Sequence, residues 1–227
     1  MTSGPRDAQL LRAMLATIGH ELRTPLTAIR GYIETLLEGE FDRTTARRFL
    51  ETARRETMRL GRLVDGMLEF SLHDSTTTRC EASCDVVEQI RATIEMVAPL
   101  AADRRVTIRT HLPPTARALV DGDACVHALA NLLENAVKHG SDRGTIEIVC
   151  TRSERFVQIA VDDDGQGIAP AAYRSIFLMG ARGESGKSGR GIGLAVVKAI
   201  AERAGGDVGV EPSALGGARF VLRFPAG

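Results

Sequence analysis

Residues 18–27 of the chain read I-G-H-E-L-R-T-P-L-T and lie within a pattern that predicts a long helix. Apolar residues recur around them at intervals of three and four, at Leu11, Leu15, Ile18, Leu22, Leu26, Ile29, Ile33 and Leu36. Such spacing places one buried stripe along a helix. His20 falls off this stripe, so we expect its imidazole to face solvent. Pro25 removes one helical N–H and clashes with the carbonyl of Glu21, which predicts a kink beside His20.

His20 and Glu21 are adjacent in this stretch, and Thr24 lies one helical turn beyond His20. A neutral imidazole has one nitrogen free to act as a nucleophile, and its pKa lies near physiological pH. The carboxylate of Glu21 can hold or accept the proton of the other nitrogen. Most exposed histidines on helices have no catalytic role, so this interpretation depends on the rest of the chain.

A second helix is predicted after the break at G-E-F-D-R, residues 39–43, with Thr44 or Thr45 as its N-cap. Its seam has heptad spacing with one polar interruption, at Phe49, Ala53, Glu56, Leu60, Leu63, Met67 and Phe70. Two long helices with a short connection form an antiparallel hairpin. Because two helices cannot enclose a core, we expect two copies to pair into a four-helix bundle, which makes the chain a homodimer.

The pattern changes after a polar, aperiodic stretch over residues 73–84, which reads as a linker. Asp85 and Asp123 are predicted N-caps of two helices, the second of which runs to about His139. Further helices are predicted over residues 171–176 and 193–204, and strands over 105–112, 145–150, 156–161, 207–210 and 219–223. The predicted organisation is a helical domain over residues 1–72, the linker, and an α+β sandwich over 85–227 with helices on one face of a single sheet.

Composition narrows the classes of function. Lys plus Arg equals Asp plus Glu at 29 each, so bulk charge gives no reason to expect binding to nucleic acid or to an anionic membrane. No apolar run has the length of a membrane span, and the first residues lack the apolar middle of a signal peptide. We therefore expect a cytoplasmic protein, or the cytoplasmic portion of a membrane-bound sensor. Cys80 and Cys84 form C-x-x-x-C without the second pair that a zinc site needs.

Residues 131–139 read N-L-L-E-N-A-V-K-H inside the helix predicted after Asp123. Asn131, Asn135 and Lys138 are about one turn apart and share a face, while the apolar residues between them cover the opposite face. An amide oxygen suits Mg²⁺, and a lysine one turn away suits phosphate. An ordinary solvated helix face would give the same pattern.

Two glycine-rich stretches follow. Asp163, Gly165, Gly167 and Ile168 belong to D-D-D-G-Q-G-I at 162–168, where a tight turn after a strand can direct a carboxylate inward to accept a hydrogen bond from adenine. A surface turn explains the same letters. The second stretch, G-R-G-I-G-L at 189–194, precedes a helix, so its backbone N–H groups can approach phosphate.

A rival motif overlaps the second stretch. Residues 181–188, A-R-G-E-S-G-K-S, fit a loose P-loop pattern, which requires a buried strand before it and a helix directly after it. S-I-F-L-M-G at 175–180 could serve as the strand, but Gly189, Gly191 and Gly193 disfavour the helix. Lys187 therefore fits a P-loop poorly.

Taken together, the motifs resemble those of sensor histidine kinases. The matching stretches are the H-box at 18–27, the N-box at 131–139 and the two glycine boxes at 162–168 and 189–194. Gly19 stands where the usual H-box, S-H-E-L-R-T-P-L, has serine. Ile176 and Phe177 followed by Arg182 resemble part of the F-box I-F-x-x-F-x-R, with Gly180 in place of the second Phe. The resemblance implies a dimerisation and histidine-phosphotransfer domain followed by a Bergerat-type ATP-binding domain.

The resemblance also implies roles for individual residues. His20 attacks ATP, Glu21 accepts its proton, and the phosphoryl group passes to an aspartate on a response regulator receiver domain. Thr24 orients water when the regulator is dephosphorylated. The implied ATP·Mg²⁺ site, in which Asn135 binds the metal and Asp163 binds adenine, comprises Asn131, Asn135, Lys138, His139, Asp163, Gly165, Gly167, Ile168, Arg182, Lys187, Arg190, Gly191, Gly193 and Leu194. The remaining alternatives are a P-loop nucleotide-binding protein, a serine kinase with the same ATP fold and a non-catalytic dimeric scaffold.

Overall fold

The computed structural model describes residues 5–72, 82–178 and 193–227. In the first range, side chains are described for residues 19, 22–57, 60 and 61. The helices are α1 (Pro5–Glu38), α2 (Arg43–Leu72), α3 (Val86–Asp103), α4 (Gly122–His139) and α5 (Gly193–Arg203). The strands are β1 (Cys84–Asp85), β2 (Thr107–His111), β3 (Arg117–Ala118), β4 (Thr145–Arg152), β5 (Phe156–Asp162), β6 (Asp207–Pro212) and β7 (Ala218–Pro225).

Helices α1 and α2 form the predicted hairpin, and aromatic rings stabilise its closed end. The ring of Phe49 lies 5.7 Å from Tyr32 and 5.3 Å from Phe41, measured between centroids. The N-cap prediction for α2 was wrong. Asp42 caps this helix, because its Oδ1 accepts hydrogen bonds from the backbone N–H groups of Thr44 and Thr45 at 2.9 and 3.0 Å. Among the described helices, none has the length and hydropathy needed to cross a bilayer.

The second half of the chain is the predicted α+β sandwich, so the fold class is confirmed. Its five-stranded sheet has the order β2-β4-β5-β7-β6, in which β2 runs parallel to β4 and the other neighbours are antiparallel. Alternate residues of β4 are buried, including Ile146 and Ile148 at 1% exposure. These side chains join one core with α3, α4 and α5, which contains Phe177, Phe220 and Phe224 besides its aliphatic side chains. The expectation of a purely aliphatic core is therefore wrong, although the chain has no tryptophan.

The structure corrects several predicted boundaries. Asp121, not Asp123, caps α4, since its Oδ1 accepts from the N–H groups of Asp123 and Ala124 at 3.0 and 3.1 Å. The strand predicted over 105–112 is shorter, at Thr107–His111. The helix predicted over 171–176 is instead two single 3₁₀ turns, Pro170–Ala172 and Ser175–Phe177.

A small two-stranded sheet was not predicted. Strand β1 pairs with β3, with Cys84 opposite Ala118 and Asp85 opposite Arg117. Asp85 caps α3 as predicted, because its carboxylate accepts from the N–H of Val87 at 3.0 Å. The other residues of the proposed linker lie mostly outside the described ranges, so the linker boundaries stay a prediction.

Candidate active site

One face of α4 carries three of the predicted site residues. Asn131, Asn135 and Lys138 are partly exposed, whereas the apolar residues between them are at most 1% exposed, namely Leu132, Leu133, Ala136 and Val137. The Nδ2 group of Asn131 donates to the carbonyl of His127 at 3.0 Å. Lys138 Nζ lies 2.9 Å from Glu134 Oε2. The helix is therefore anchored by its apolar face and presents amide and ammonium groups on the other.

Asp163 follows β5 and is only 3% exposed. Its Oδ1 accepts hydrogen bonds from the backbone N–H groups of Gly165 at 2.9 Å and Ala218 at 3.1 Å. Among the described residues, no donor pairs with Oδ2. Burial raises the pKa of this carboxyl, although the two backbone hydrogen bonds oppose the rise. Backbone hydrogen bonds therefore fix Oδ1 of Asp163 and leave Oδ2 available to a ligand.

Close backbone contacts explain the glycines beside Asp163. A side chain at Gly165 would overlap the carbonyl of His139 at the end of α4, and one at Gly217 would overlap Asp163 Oδ1. Gly167 has a φ of +70°, which non-glycine residues rarely adopt. The turn after β5 is therefore packed tightly between the end of α4 and the turn that joins β6 to β7.

Asp164 and Arg104 support this arrangement. Asp164 Oδ1 accepts from the N–H of Ser141 at 2.9 Å, and its Oδ2 accepts from the N–H of Thr145 at 2.7 Å, which fixes the connection between α4 and β4. Arg104 Nη1 donates to the carbonyls of Val137 and Lys138 at 3.1 and 2.9 Å, so it satisfies the last turn of α4. Sequence reasoning assigned Asp164 only to a turn and missed Arg104, whose partners lie 33 and 34 positions away.

The start of α5 meets α4 at Asn131. A Cβ added to Gly193 would lie 2.7 Å from Asn131 Oδ1, so any other residue here would displace the Asn131 amide. Ile168 and Leu194 are partly buried and pack against the core. The structure thus brings together the predicted residues of α4, the turn after β5 and the start of α5. The other predicted phosphate-binding residues lie outside the described ranges, namely Arg182, Lys187, Arg190 and Gly191.

The predicted phosphoacceptor segment lies in α1. His20 and Glu21 are within this helix, and their side chains are outside the described set. Thr24 is exposed and Pro25 is buried within the same helix. The structure thus confirms a helical setting for His20 but leaves its exposure a prediction.

The donor set on α4 fits a magnesium ion. Mg²⁺ prefers oxygen ligands and retains several waters, so it needs few protein groups beside the phosphates of a nucleotide. Because Asn131 donates through Nδ2 to His127, its Oδ1 points away from that carbonyl towards Gly193. Asn135 lies one turn further along the same face. The amide oxygen of Asn135, on the partly exposed face of α4, is therefore a ligand of the type that a hydrated magnesium ion takes.

The P-loop hypothesis for residues 181–188 fails on the segment that precedes them. A P-loop requires a buried strand at that position. Instead, Ser175–Phe177 form a 3₁₀ turn, and Leu178 after it is 58% exposed. The described part of the preceding segment therefore has the wrong conformation for this motif.

Comparison with known families decides between the remaining interpretations. Residues 120–227 match the family described as histidine kinase-, DNA gyrase B-, and HSP90-like ATPase. Residues 10–76 match the His Kinase A (phospho-acceptor) domain. The chain has the two domains of a sensor histidine kinase catalytic core. One family match spans most of the helical hairpin, and the other covers the sandwich domain from residue 120 onward.

Related kinases match along most of the chain. SenX3 of Mycobacterium tuberculosis, a sensor-like histidine kinase, is 33% identical over 220 residues, which are 95% of this chain and 54% of SenX3. The sensor histidine kinase WalK of Bacillus subtilis is 30% identical over 92% of this chain and 35% of its own length. The chain thus spans about half of one of these sensor kinases and about a third of the other.

Solved histidine kinase structures share the fold. Full-length ShkA in complex with AMPPNP is 26% identical, with a TM-score of 0.65 over 94% of this chain and 46% of ShkA. The ATP binding domain of PrrB from Mycobacterium tuberculosis is 27% identical, with a TM-score of 0.54 over 65% of this chain and 98% of that domain.

Proposed function

We propose that this kinase core uses ATP to phosphorylate its own His20 and then passes the phosphoryl group to an aspartate of a response regulator receiver domain. The observation that carries the proposal is the Asp163 carboxylate, which is buried and held through Oδ1 while Oδ2 lacks a donor among the described residues. The amino group of adenine is a donor that suits this oxygen. The family matches support pairing this ATP site with a phosphoacceptor helix.

The other ATP-site residues have proposed roles in charge neutralisation and close packing. Asn135 would hold Mg²⁺, which when bound neutralises charge on the phosphates, and Asn131 would lie beside it in the ATP site. Lys138, now paired with Glu134, and His139 would bind phosphate oxygens. Arg182, Lys187 and Arg190 would supply further cations, because phosphoryl transfer depends mainly on positioning and charge neutralisation. The backbone at Gly165, Gly167, Ile168, Gly191, Gly193 and Leu194 would line the nucleotide.

His20 is the proposed nucleophile. Its unprotonated nitrogen would form a bond to the γ-phosphorus as the bond between that phosphorus and the leaving oxygen of ADP breaks. Glu21 would take the proton of the other nitrogen, which keeps the phosphorylated ring neutral. Thr24 would orient water in the dephosphorylation of the regulator, since a hydroxyl positions water well but is a poor base.

A homodimer is the proposed assembly. The α1–α2 hairpin leaves apolar side chains exposed, including Leu26 at 52%, Ile33 at 45% and Leu37 at 81%. Burial of such surface against a second hairpin would complete a helical bundle. The proposed domain boundaries are 1–72 for the helical domain, 73–84 for the linker and 85–227 for the ATP-binding domain. The proposed location is the cytoplasm, where the kinase would contact its response regulator.

Labelling with γ-labelled ATP followed by acid treatment tests this function. Phosphohistidine is acid-labile, whereas phosphoserine is acid-stable, so the treatment separates this proposal from a serine kinase. We expect acid-labile label in the wild type and none in His20→Gln. His111→Gln is the matched control, because the His111 side chain is exposed and lies on β2, outside the site. Undiminished label in His20→Gln would overturn the assignment, and no label in any protein would favour a scaffold.

A further inference from the structure

Asp162 is the last residue of β5 and Asp163 follows it directly, yet the carboxylates of these two residues have different partners. Asp162 is only 1% exposed. It pairs with Arg219 of β7, and Arg219 in turn pairs with Glu211 of β6, so three charged residues form a row across three strands. Arg219 Nη1 lies 3.4 Å from Asp162 Oδ2, and its Nε lies 3.3 Å from Glu211 Oε1. A buried carboxylate needs such partners to offset the loss of hydration.

Ser213 supplies the second partner of Asp162. Its hydroxyl donates to Asp162 Oδ1 at 2.9 Å and accepts from the N–H of Leu215 at 3.0 Å. Its backbone N–H donates to the carbonyl of Gly217 at 3.0 Å, and its carbonyl accepts from the N–H of Gly216 at 3.0 Å. Ser213 therefore closes the turn between β6 and β7 and fastens that turn to β5.

The same turn holds the adenine-binding carboxylate. Ala218, directly after it, donates its N–H to Asp163 Oδ1 at 3.1 Å and accepts from the N–H of Asp163 at 2.9 Å. Gly217 donates to the carbonyl of Asp163 at 3.2 Å. The carbonyl oxygen of Gly217 would lie 3.3 Å from a Cβ added at Gly167, so the two turns are close together. A displacement of this turn would thus rotate the Asp163 carboxylate and loosen the glycine turn beside it.

We propose that Ser213 and Asp162 are positioning residues, which orient Asp163 Oδ2 towards the amino group of adenine by fixing the turn between β6 and β7. The proposal rests on the adenine-binding role of Asp163. Neither residue is expected to touch the nucleotide. Their effect is on discrimination between bases, because only the base edge meets Oδ2, while the phosphates are bound by other elements.

The test is calorimetric affinity for ATP and for inosine triphosphate, whose base has a carbonyl in place of the amino group. We expect Ser213→Ala to misalign Asp163 Oδ2 and so to weaken its hydrogen bond with the adenine amino group. The affinity for ATP should then fall about tenfold, which is the scale of one hydrogen bond to a charged group, with little change in the affinity for inosine triphosphate. Ser213→Thr keeps the hydroxyl and should retain the preference for ATP. A purely structural serine would lower the melting temperature and leave the ratio of the two affinities unchanged.

Ser153→Ala is the matched control. The hydroxyl of Ser153 also closes a hairpin turn, by donating to the carbonyl of Phe156 and accepting from its N–H, both at 3.0 Å. This turn joins β4 to β5 and makes no contact with Asp163, so the preference for ATP should persist. If Ser213→Ala does not fold, Ser213→Cys, which has similar volume and a weak donor, takes its place with the same expectation.

The two proposals fail in different ways. An unchanged affinity ratio in folded Ser213→Ala or Ser213→Cys, with a clear ATP preference in the wild type, overturns the positioning role alone. A wild type that binds both nucleotides equally overturns the adenine role of Asp163 and the positioning role with it. Neither result depends on whether His20 is phosphorylated.

Discussion

Asp163→Asn is expected to reverse the base preference of the nucleotide site. The backbone N–H groups of Gly165 and Ala218 both point at Oδ1, at 2.9 and 3.1 Å. An asparagine there must keep its carbonyl oxygen against these two donors, since an NH₂ group in that place would oppose them. Its Nδ2 then occupies the place of Oδ2 and offers a donor to the amino group of adenine, which is also a donor.

The magnitude follows from the bond that is lost. A hydrogen bond to a charged group contributes about 1.5–3 kcal/mol, so ATP affinity should fall about 10- to 150-fold. Inosine triphosphate presents a carbonyl at the same place and should bind the variant better than it binds the wild type. The substitution therefore exchanges specificity and does not merely weaken the site.

Asp163→Asn should raise the free energy of unfolding at neutral pH although it lowers the affinity for ATP. Because burial raises the pKa of Asp163 above its unfolded value, the folded chain binds more protons between the two values. The free energy of unfolding of the wild type therefore falls as pH rises through that window. Asp163→Asn lacks this group, so it should be more stable than the wild type at neutral pH, and the difference should shrink on acidification.

Calorimetry with both nucleotides and chemical denaturation at several pH values measure these effects. His111→Gln is a suitable reference for damage unrelated to the site. Unchanged ATP affinity in a folded Asp163→Asn would refute the adenine role. A variant less stable than the wild type at neutral pH would refute the reasoning on the buried charge.

Three further predictions concern other parts of the chain. Gly193→Ala places a Cβ 2.7 Å from Asn131 Oδ1 and should weaken ATP·Mg²⁺ binding severalfold by calorimetry, whereas Gly209→Ala, with nothing within 4 Å, should not. Ile33→Asp, at a side chain 45% exposed on the hairpin, should convert a micromolar dimer to monomer in sedimentation, and a monomeric wild type would contradict the bundle. Thr24→Ala should keep histidine labelling and lose dephosphorylation of the cognate regulator in a phosphate-release assay, and a wild-type rate would leave Thr24 without that role.

Local patterns predicted the elements and the exposed face of α4 well. The apolar period of residues 131–139 places Asn131, Asn135 and Lys138 on one face, which agrees with their partial exposure in α4. These features depend on spacing within one element, which the sequence displays directly.

The missed features depend on contacts between distant segments. Arg104 donates hydrogen bonds to the last turn of α4, and Ser213 donates one to Asp162 at a separation of 51 residues. No local sequence pattern predicts either interaction. The choice of α4 cap was ambiguous because D-G-D offers two aspartates. Asp121 has the extended backbone that a cap needs, with φ of −64° and ψ of 140°, and only the folded chain shows this.

Autophosphorylation of His20 is best measured by fragmentation mass spectrometry of the ATP-treated chain at alkaline pH, because phosphohistidine survives under those conditions. We expect a single phosphoryl group on His20, its loss after brief acid treatment, and its absence from Asp163→Asn treated with ATP near the wild-type dissociation constant. A phosphoryl group on serine or threonine, on another histidine, or on Asp163→Asn at the wild-type level would contradict this expectation.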